Sequence, residues 1–174
     1  MENMKTLYLI GGAMGVGKTT VCQILKKKLD RAVFLDGDWC WDADPFQVTT
    51  ETKAMVLDNI GHVLNNFLRC SAYENILFCW VLHEPEIWDA ILSRLDRRGC
   101  QVKKVALVCR PEALRRRLEQ DIRAGIRQAD VLERSLSRLA CYGRLPVQRL
   151  DVSDQSPEET AERILLMEGV GNFT

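Results

Sequence analysis

The chain predicts an α/β fold in three layers, with a five-stranded, mostly parallel sheet covered by helices on both faces. Three observations predict it. Apolar segments of strand length alternate with segments of helical period, the strand segments are continuously apolar as doubly covered strands are, and no repeat or linker interrupts the order. With 174 residues, 47% of them hydrophobic, the chain can bury one sizeable core, and 1–174 reads as a single domain.

Lys5 to Ile10 is the first strand, and Thr19 to Leu29 its helix, with Lys26, Lys27 and Lys28 placed near the negative C-terminal end. Ala32 to Leu35 is the second strand. A loop containing Pro45 leads to a helix over Thr50 to Arg69, and Asn75 to Leu82 has the unbroken apolar character of a central strand. Pro85 opens a helix that runs to near Gly99, Val102 to Cys109 is the fourth strand, and Pro111 opens an arginine-rich helix. A helix over Val131 to Tyr142, a strand over Val147 to Val152 and a helix after Ser156-Pro157 complete the order.

Lysine and arginine together number 24, as do aspartate and glutamate, so bulk charge attracts neither nucleic acid nor an anionic membrane. Charge-driven function must be local. No apolar run approaches the roughly 18 residues of a membrane span, and the run Leu7 to Ile10 leads into glycines, so a cytoplasmic protein without a membrane partner is expected. The cysteines at 22, 40, 70, 79, 100, 109 and 141 lie in or beside apolar segments without a C-x-x-C pair, as reduced packing residues do. With only His62 and His83 to join them they make a poor zinc set, and nothing in the pattern specifies an oligomeric state.

Gly12-Ala13-Met14-Gly15-Val16-Gly17-Lys18-Thr19 is a full G-x-x-x-x-G-K-S/T match between a strand and a helix, the context that makes this P-loop motif specific. Glycines let the loop close on a phosphate chain, so that backbone N–H groups and the positive end of the helix meet its charge. Gly12, Met14, Gly15, Val16, Gly17, Lys18, Thr19 and Thr20 form the expected ATP-binding set. Lys18 carries a mobile charge toward the β- and γ-phosphates, and the Thr19 hydroxyl is the expected Mg²⁺ ligand. GTP is disfavoured because no N/T-K-x-D base-reading motif is present, and Asp58-Asn59-Ile60-Gly61, a D-x-x-G match, lies in a predicted helix.

The loop resembles the G-x-M-G-x-G-K-S/T form of shikimate-kinase-like proteins, within the nucleoside and nucleotide kinase superfamily of P-loop enzymes. The resemblance implies a P-loop NTPase fold and extends to Asp36-Gly37-Asp38 after the second strand, where gluconate, adenylylsulfate and shikimate kinases carry paired acidic residues. By that analogy Asp36 is the metal-side carboxylate and Asp38 the base that orients the acceptor hydroxyl, with exchange of the two roles left open. The third strand departs from the pattern, because Ile76 to His83 lacks the aspartate of a Walker-B strand. Glu84 is a substitute or merely a favourable charge before Pro85.

From Arg110 to Arg149 there are ten arginines, no lysines and five acidic residues. Arg127, Asp130, Arg138, Leu139 and Tyr142 resemble the R-x-x-D, R-L-x-x-Y lid of adenylate-kinase-like enzymes, which implies a lid over 115–142. Guanidinium forks suit phosphate oxygens, and Arg127 and Arg138 are the leading catalytic arginines. Arg123, four residues before Arg127, joins the nucleotide-binding set on helical spacing. Arg115, Arg116 and Arg117 cannot all face one ligand, so most of that trio should be a solvated face.

The segment 36–70 is the expected acceptor site. Asp36, Asp38, Asp42, Asp44, Glu51 and Asp58 face Lys53 alone between Asp36 and Asp58, which favours a neutral or cationic acceptor. Trp39, Trp41, Phe46, Trp80 and His83 are candidate pocket walls, with ordinary core packing as the competing role. The expected activity is ATP-dependent transfer of the γ-phosphate to a hydroxyl of a small molecule. A nucleoside-monophosphate kinase and a non-enzymatic ATP-binding regulatory protein are the alternatives, and the neutral total charge argues against nucleic acid as acceptor.

Overall fold

A computed structural model describes residues 4–168. Strands β1 (Lys5–Gly12), β2 (Ala32–Asp36), β3 (Asn75–Trp80), β4 (Cys100–Val108) and β5 (Gln148–Asp151) form one sheet in the order β2-β3-β1-β4-β5. Every pairing is parallel, so the sheet is wholly rather than mostly parallel. Between and after the strands run α1 (Lys18–Lys28), α2 (Thr50–Arg69), α3 (Pro85–Leu92), α4 (Pro111–Arg123), α5 (Val131–Tyr142) and α6 (Pro157–Leu165), with a short 3-10 turn over Gly37–Cys40.

Side-chain alternation in β1 divides the core in two. Leu7 and Leu9 pack with Val56, Ile60 and Leu64 of α2, Trp88 of α3 and Leu118 of α4. Tyr8 and Ile10 pack on the other face with Val21 and Leu25 of α1 and Ile164 of α6. Because both faces are covered, a strand with strict polar alternation would bury unpaired polar groups, which explains the continuous apolar runs. The chain passes from β1 to β2 and back to β3 on one side, then to β4 on the other, opening a crevice at the C-terminal strand ends beside β1.

Strand β1 runs two residues past the expected Ile10 and β4 begins two before the expected Val102, and two further boundary differences bear on the site. Helix α3 stops at Leu92 rather than near Gly99, because Asn65 of α2 holds the next segment, donating from Nδ2 to the Arg94 carbonyl at 2.8 Å and accepting from the Asp96 N–H at 2.9 Å. Strand β3 stops at Trp80 rather than Leu82, where the backbone turns through positive φ (44°) at Leu82. Trp88 Nε1 donates to the Leu82 carbonyl at 2.9 Å and the buried Tyr142 donates its hydroxyl to the Val81 carbonyl at 2.6 Å, so side chains of α3 and α5 clamp this turn.

Replacing Tyr142 by Phe removes that donor and leaves the Val81 carbonyl with the Gly12 N–H at 3.3 Å. The variant should lose about 1–2 kcal/mol of stability, the range for a buried acceptor deprived of one partner. Urea unfolding should show a lower midpoint with an unchanged m-value.

Candidate active site

The glycine loop leaves β1 and enters α1, so the sheet's central strand carries it. Gly15 has φ 86°, and a Cβ there would lie 2.5 Å from Leu118 Cδ2. Only glycine satisfies both the left-handed backbone and the approach of α4. Lys18 Nζ donates to the Ala13 carbonyl at 3.0 Å, folding back over its own loop. Arg117 of α4 donates to the Val16 carbonyl at 3.3 Å and the Val152 carbonyl at 2.6 Å, tying the loop to the end of the sheet.

Thr19 Oγ1 donates to Asp36 Oδ2 at 2.7 Å, and the Asp38 N–H donates to Asp36 Oδ1 at 3.0 Å. Asp36 ends β2 and stands in register with Cys79 of β3. Asp36 therefore stands beside the end of β3, the strand that lacks an acidic residue. Glu84 caps α3 with its side chain 60% exposed, 3.7 Å from His83 Nε2, and does not line the cavity described next. The Thr19 hydroxyl and the Asp36 carboxylate form an all-oxygen pair, which fits Mg²⁺, a hard cation that takes one or two protein ligands and completes its shell with water and phosphate.

A cavity of about 280 Å³ opens above these groups. Met14, Gly15, Gly17, Lys18, Thr19, Thr20, Asp36, Asp38 and Arg127 line it, while Gly12 and Val16 are buried and do not. Arg127 is held by Asp121, which accepts from its Nε at 2.9 Å, rather than by Asp130 three residues on. Two expected arginines lie elsewhere. Arg123 points outward, 77% exposed and 3.7 Å from Glu119, because α4 ends there and the Gly125 turn rotates Arg127 onto a different side. Arg138 sits on α5 one turn before Tyr142 and does not line the cavity. Arg117 takes a place at the cavity that sequence reasoning left to solvent, and only its partners across the fold, Val16 and Val152, reveal it. Two further arginines of the segment are spent locally, Arg110 on Asp154 at 2.8 and 2.9 Å and Arg134 on Asp130 at 3.8 Å.

Trp80 donates from Nε1 to Asp38 Oδ1 at 3.1 Å, so this aromatic holds a carboxylate at the cavity while packing against the core. Gly37 permits the approach, since a Cβ there would lie 2.4 Å from Trp80 Cγ. Trp41 lines a second, more open cavity of about 360 Å³ with Cys40, Asp42, Thr52 and Met55, and Phe46 stacks on it at 4.4 Å. Trp39 instead packs edge-on against Phe34 at 5.1 Å and stays 58% exposed. Of the acidic segment, Asp58 is neutralised by Arg94 at 3.1 Å, and Asp44 and Glu51 line neither cavity.

These elements define a P-loop nucleotide-binding protein with a kinase-like α/β fold. Residues 9–134 match the family described as an AAA domain, and the chain belongs to that family. Among solved structures the chain is similar to a gluconokinase from Sinorhizobium meliloti 1021, with TM-score 0.68, 18% identity and coverage of 94% of this chain and 91% of that one. It is similar to an APS kinase from Mycobacterium tuberculosis solved with AMPPNP and APS, with TM-score 0.63, 19% identity and coverage of 94% and 96%. A tunicamycin resistance protein from Deinococcus radiodurans matches at TM-score 0.62 and 18% identity, covering 96% and 99%. At such identities the likeness is one of fold. Comparison with curated protein sequences yields no match. Among the described residues no helix is long and apolar enough to cross a membrane.

Burial lowers the Lys18 pKa, against the pull of Asp38 and Asp36. Burial and then Asp36 raise the Asp38 pKa, against Lys18, the Trp80 N–H and Arg127. A carboxyl whose pKa is higher folded than unfolded binds more protons in the native state, so stability falls as pH rises through the window between the two values. Asp38→Asn keeps an Oδ1 acceptor for Trp80 and removes the charge. It should raise the urea midpoint at pH 7, and the gain should shrink as pH is lowered through that window; a variant less stable than the parent at pH 7 would contradict this electrostatic picture.

Proposed function

We propose that this chain transfers the γ-phosphate of ATP to a hydroxyl of a small molecule. The observation that carries the reading is the convergence of Lys18, Thr19, Asp36, Asp38 and Arg127 on one cavity at the switch point of the sheet. Nucleotide binding alone has no use for a second carboxylate, Asp38, beside the buried Asp36. The loop amides and the start of α1 bind the phosphate chain, and Lys18 Nζ exchanges the Ala13 carbonyl for the β- and γ-oxygens. Thr19 and Asp36 would hold Mg²⁺, which when bound would offset charge on the transferred group.

Asp38 acts at its free oxygen. Trp80 holds Oδ1, so Oδ2 accepts the proton of the acceptor hydroxyl as the acceptor oxygen bonds to phosphorus and ADP leaves. The raised pKa brings this carboxylate closer to a useful base strength. Arg127, braced by Asp121, and Lys18 stabilise charge on the phosphoryl oxygens during transfer. The kinase folds to which the chain is similar support this reading, as does the APS kinase complex with AMPPNP, a nucleotide seated in a related fold.

The test is a Mg-ATP turnover screen over nucleosides, monophosphates, sugars, shikimate, aminoglycosides and short oligonucleotides. Acceptor-dependent ADP formation should appear, with kcat lowered about 10²- to 10³-fold in K18A and about 10²- to 10⁴-fold in D38N, the latter still binding ATP. R127A should lower kcat by about 10²-fold. R116A, an exposed change on α4, should leave it unaltered. Saturable ATP binding with no acceptor-stimulated turnover would instead mark a nucleotide-controlled binding protein.

A further inference from the structure

The second cavity, of about 360 Å³, takes part in no step of the transfer chemistry. Trp41, Pro45 and Met55 give it apolar walls, and Asp42, Gln47 and Thr52 supply polar groups. Helix α2 holds these walls in place. Asn59 Nδ2 donates to the Cys40 carbonyl at 3.1 Å and Thr52 Oγ1 donates to the Gln47 carbonyl at 2.9 Å, so the segment that forms the cavity is pinned near both of its ends. Phe46 packs on Trp41 with ring centroids 4.4 Å apart and planes tilted by 37°. Phe46 and Met55 nevertheless stay exposed, so large apolar side chains meet solvent at a preformed cavity, the setting in which an apolar ligand group gains most from burial.

One turn of 3-10 helix joins this cavity to the transfer site. Asp38 lines the first cavity and Cys40 the second, and two residues of chain span at most about 7 Å, so a single small molecule reaches from one to the other. The Trp41 N–H donates to the Asp38 carbonyl at 3.3 Å, which ties the aromatic wall to the residue that carries the base. Charge at the cavity is one-sided. The Asp42 carboxylate lines it and has no hydrogen-bond or ion-pair partner among the described residues, and the same holds for Asp44 and Glu51, close to it in sequence. Lys53, the only basic residue between Asp36 and Asp58, does not line the cavity. An indole wall beside an unpaired carboxylate is chemistry suited to an organic cation, through ring contact, cation–π attraction and a charge-assisted hydrogen bond.

We propose that the second cavity binds the phosphate acceptor by a flat apolar ring that carries a protonated amine, with the hydroxyl on the far side of the ring turned toward Asp38. This rests on the phosphotransfer reading and narrows its acceptor to an amphipathic cation. Trp41 covers the ring, the Met55 thioether adapts to its edge, and Asp42 accepts a hydrogen bond from the ammonium group. Plain sugars lack the ring and the charge, polycations without apolar surface lack the ring, and carboxylate acceptors bring the wrong charge.

The experiment titrates protein loaded with Mg²⁺ and a non-hydrolysable ATP analogue with four primary alcohols, followed by NMR chemical-shift changes. They are 4-(aminomethyl)benzyl alcohol, 4-methylbenzyl alcohol, 4-(hydroxymethyl)benzoate and ethanolamine, which share the hydroxyl and separate ring from charge. The ring amine should bind about fivefold or more tightly than each of the other three. D42N, an exposed change, should bring the ring amine down to the level of the methyl compound while both still exceed ethanolamine. W41L and the exposed change M55A should weaken the ring compounds about two- to fivefold and leave ethanolamine unmoved, and D44N, which lines neither cavity, should leave the order intact. Equal binding of the four, no detectable binding of any, or an order that survives in both D42N and W41L would overturn the subsite. Nucleotide binding is read in the loading step, and ADP formation from ATP with the same alcohols is measured apart. Binding in the expected order without turnover would overturn the transfer reading and leave the ligand class of the cavity standing, whereas turnover of other acceptors with no binding of the ring amine would overturn the subsite alone.

Discussion

Strand β1 is hydrogen-bonded to β3 on one side and β4 on the other and buried on both faces, and the glycine loop that lines the cavity leaves its C-terminal end. A strand held in this way cannot shift alone, so the loop that leaves it inherits the position of the whole sheet. The loop is then braced from α4, by Leu118 against Gly15 and by Arg117 on the Val16 carbonyl. From the other side, Thr19 and Asp36 join α1 to β2 through a single hydrogen bond across 17 residues of sequence. Lysine, hydroxyl and carboxylates are thereby preorganised before any ligand arrives.

That preorganisation is electrostatically costly and held by packing. Burial drives Lys18 and Asp38 toward their neutral forms, and Asp36 adds repulsion at Asp38. The opposite charges of Lys18 and Asp38 relieve part of this, and the Trp80 indole fixes the direction in which Asp38 presents its second oxygen. Paired, partly buried charges of this kind contribute little to stability and much to chemistry, which is why perturbed carboxylates gather where a reacting group must be met. The clamp on the Val81–Leu82 turn serves the same end by fixing both Trp80 before it and His83 after it.

The arginines separate local density from local function. Ten lie between Arg110 and Arg149, yet Arg110, Arg123 and Arg134 are matched nearby by Asp154, Glu119 and Asp130, and such exposed pairs add little. Arg117 and Arg127 stand at the cavity because each is anchored at a second point, on main-chain carbonyls or on Asp121. Arg138 serves a different place because α5 is docked through Tyr142 on the far side of the β3 turn.

Read alone, the sequence determined the layered parallel sheet, the order of its elements and the phosphate loop. Those features depend on local period, on glycine backbone freedom and on residues adjacent in the chain. It also placed Asp36-Gly37-Asp38 at the mouth of the site, since the end of a strand can be read from where its apolar run stops. The register of β2 beside β3, which sets Asp36 against Cys79, was decided by tertiary pairing. So were the early end of α3 under Asn65 and the places of Arg117 and Trp80 at the cavity. Each is a contact between residues distant in sequence, and such contacts depend on how packed elements lean on one another, which neither periodicity nor composition encodes.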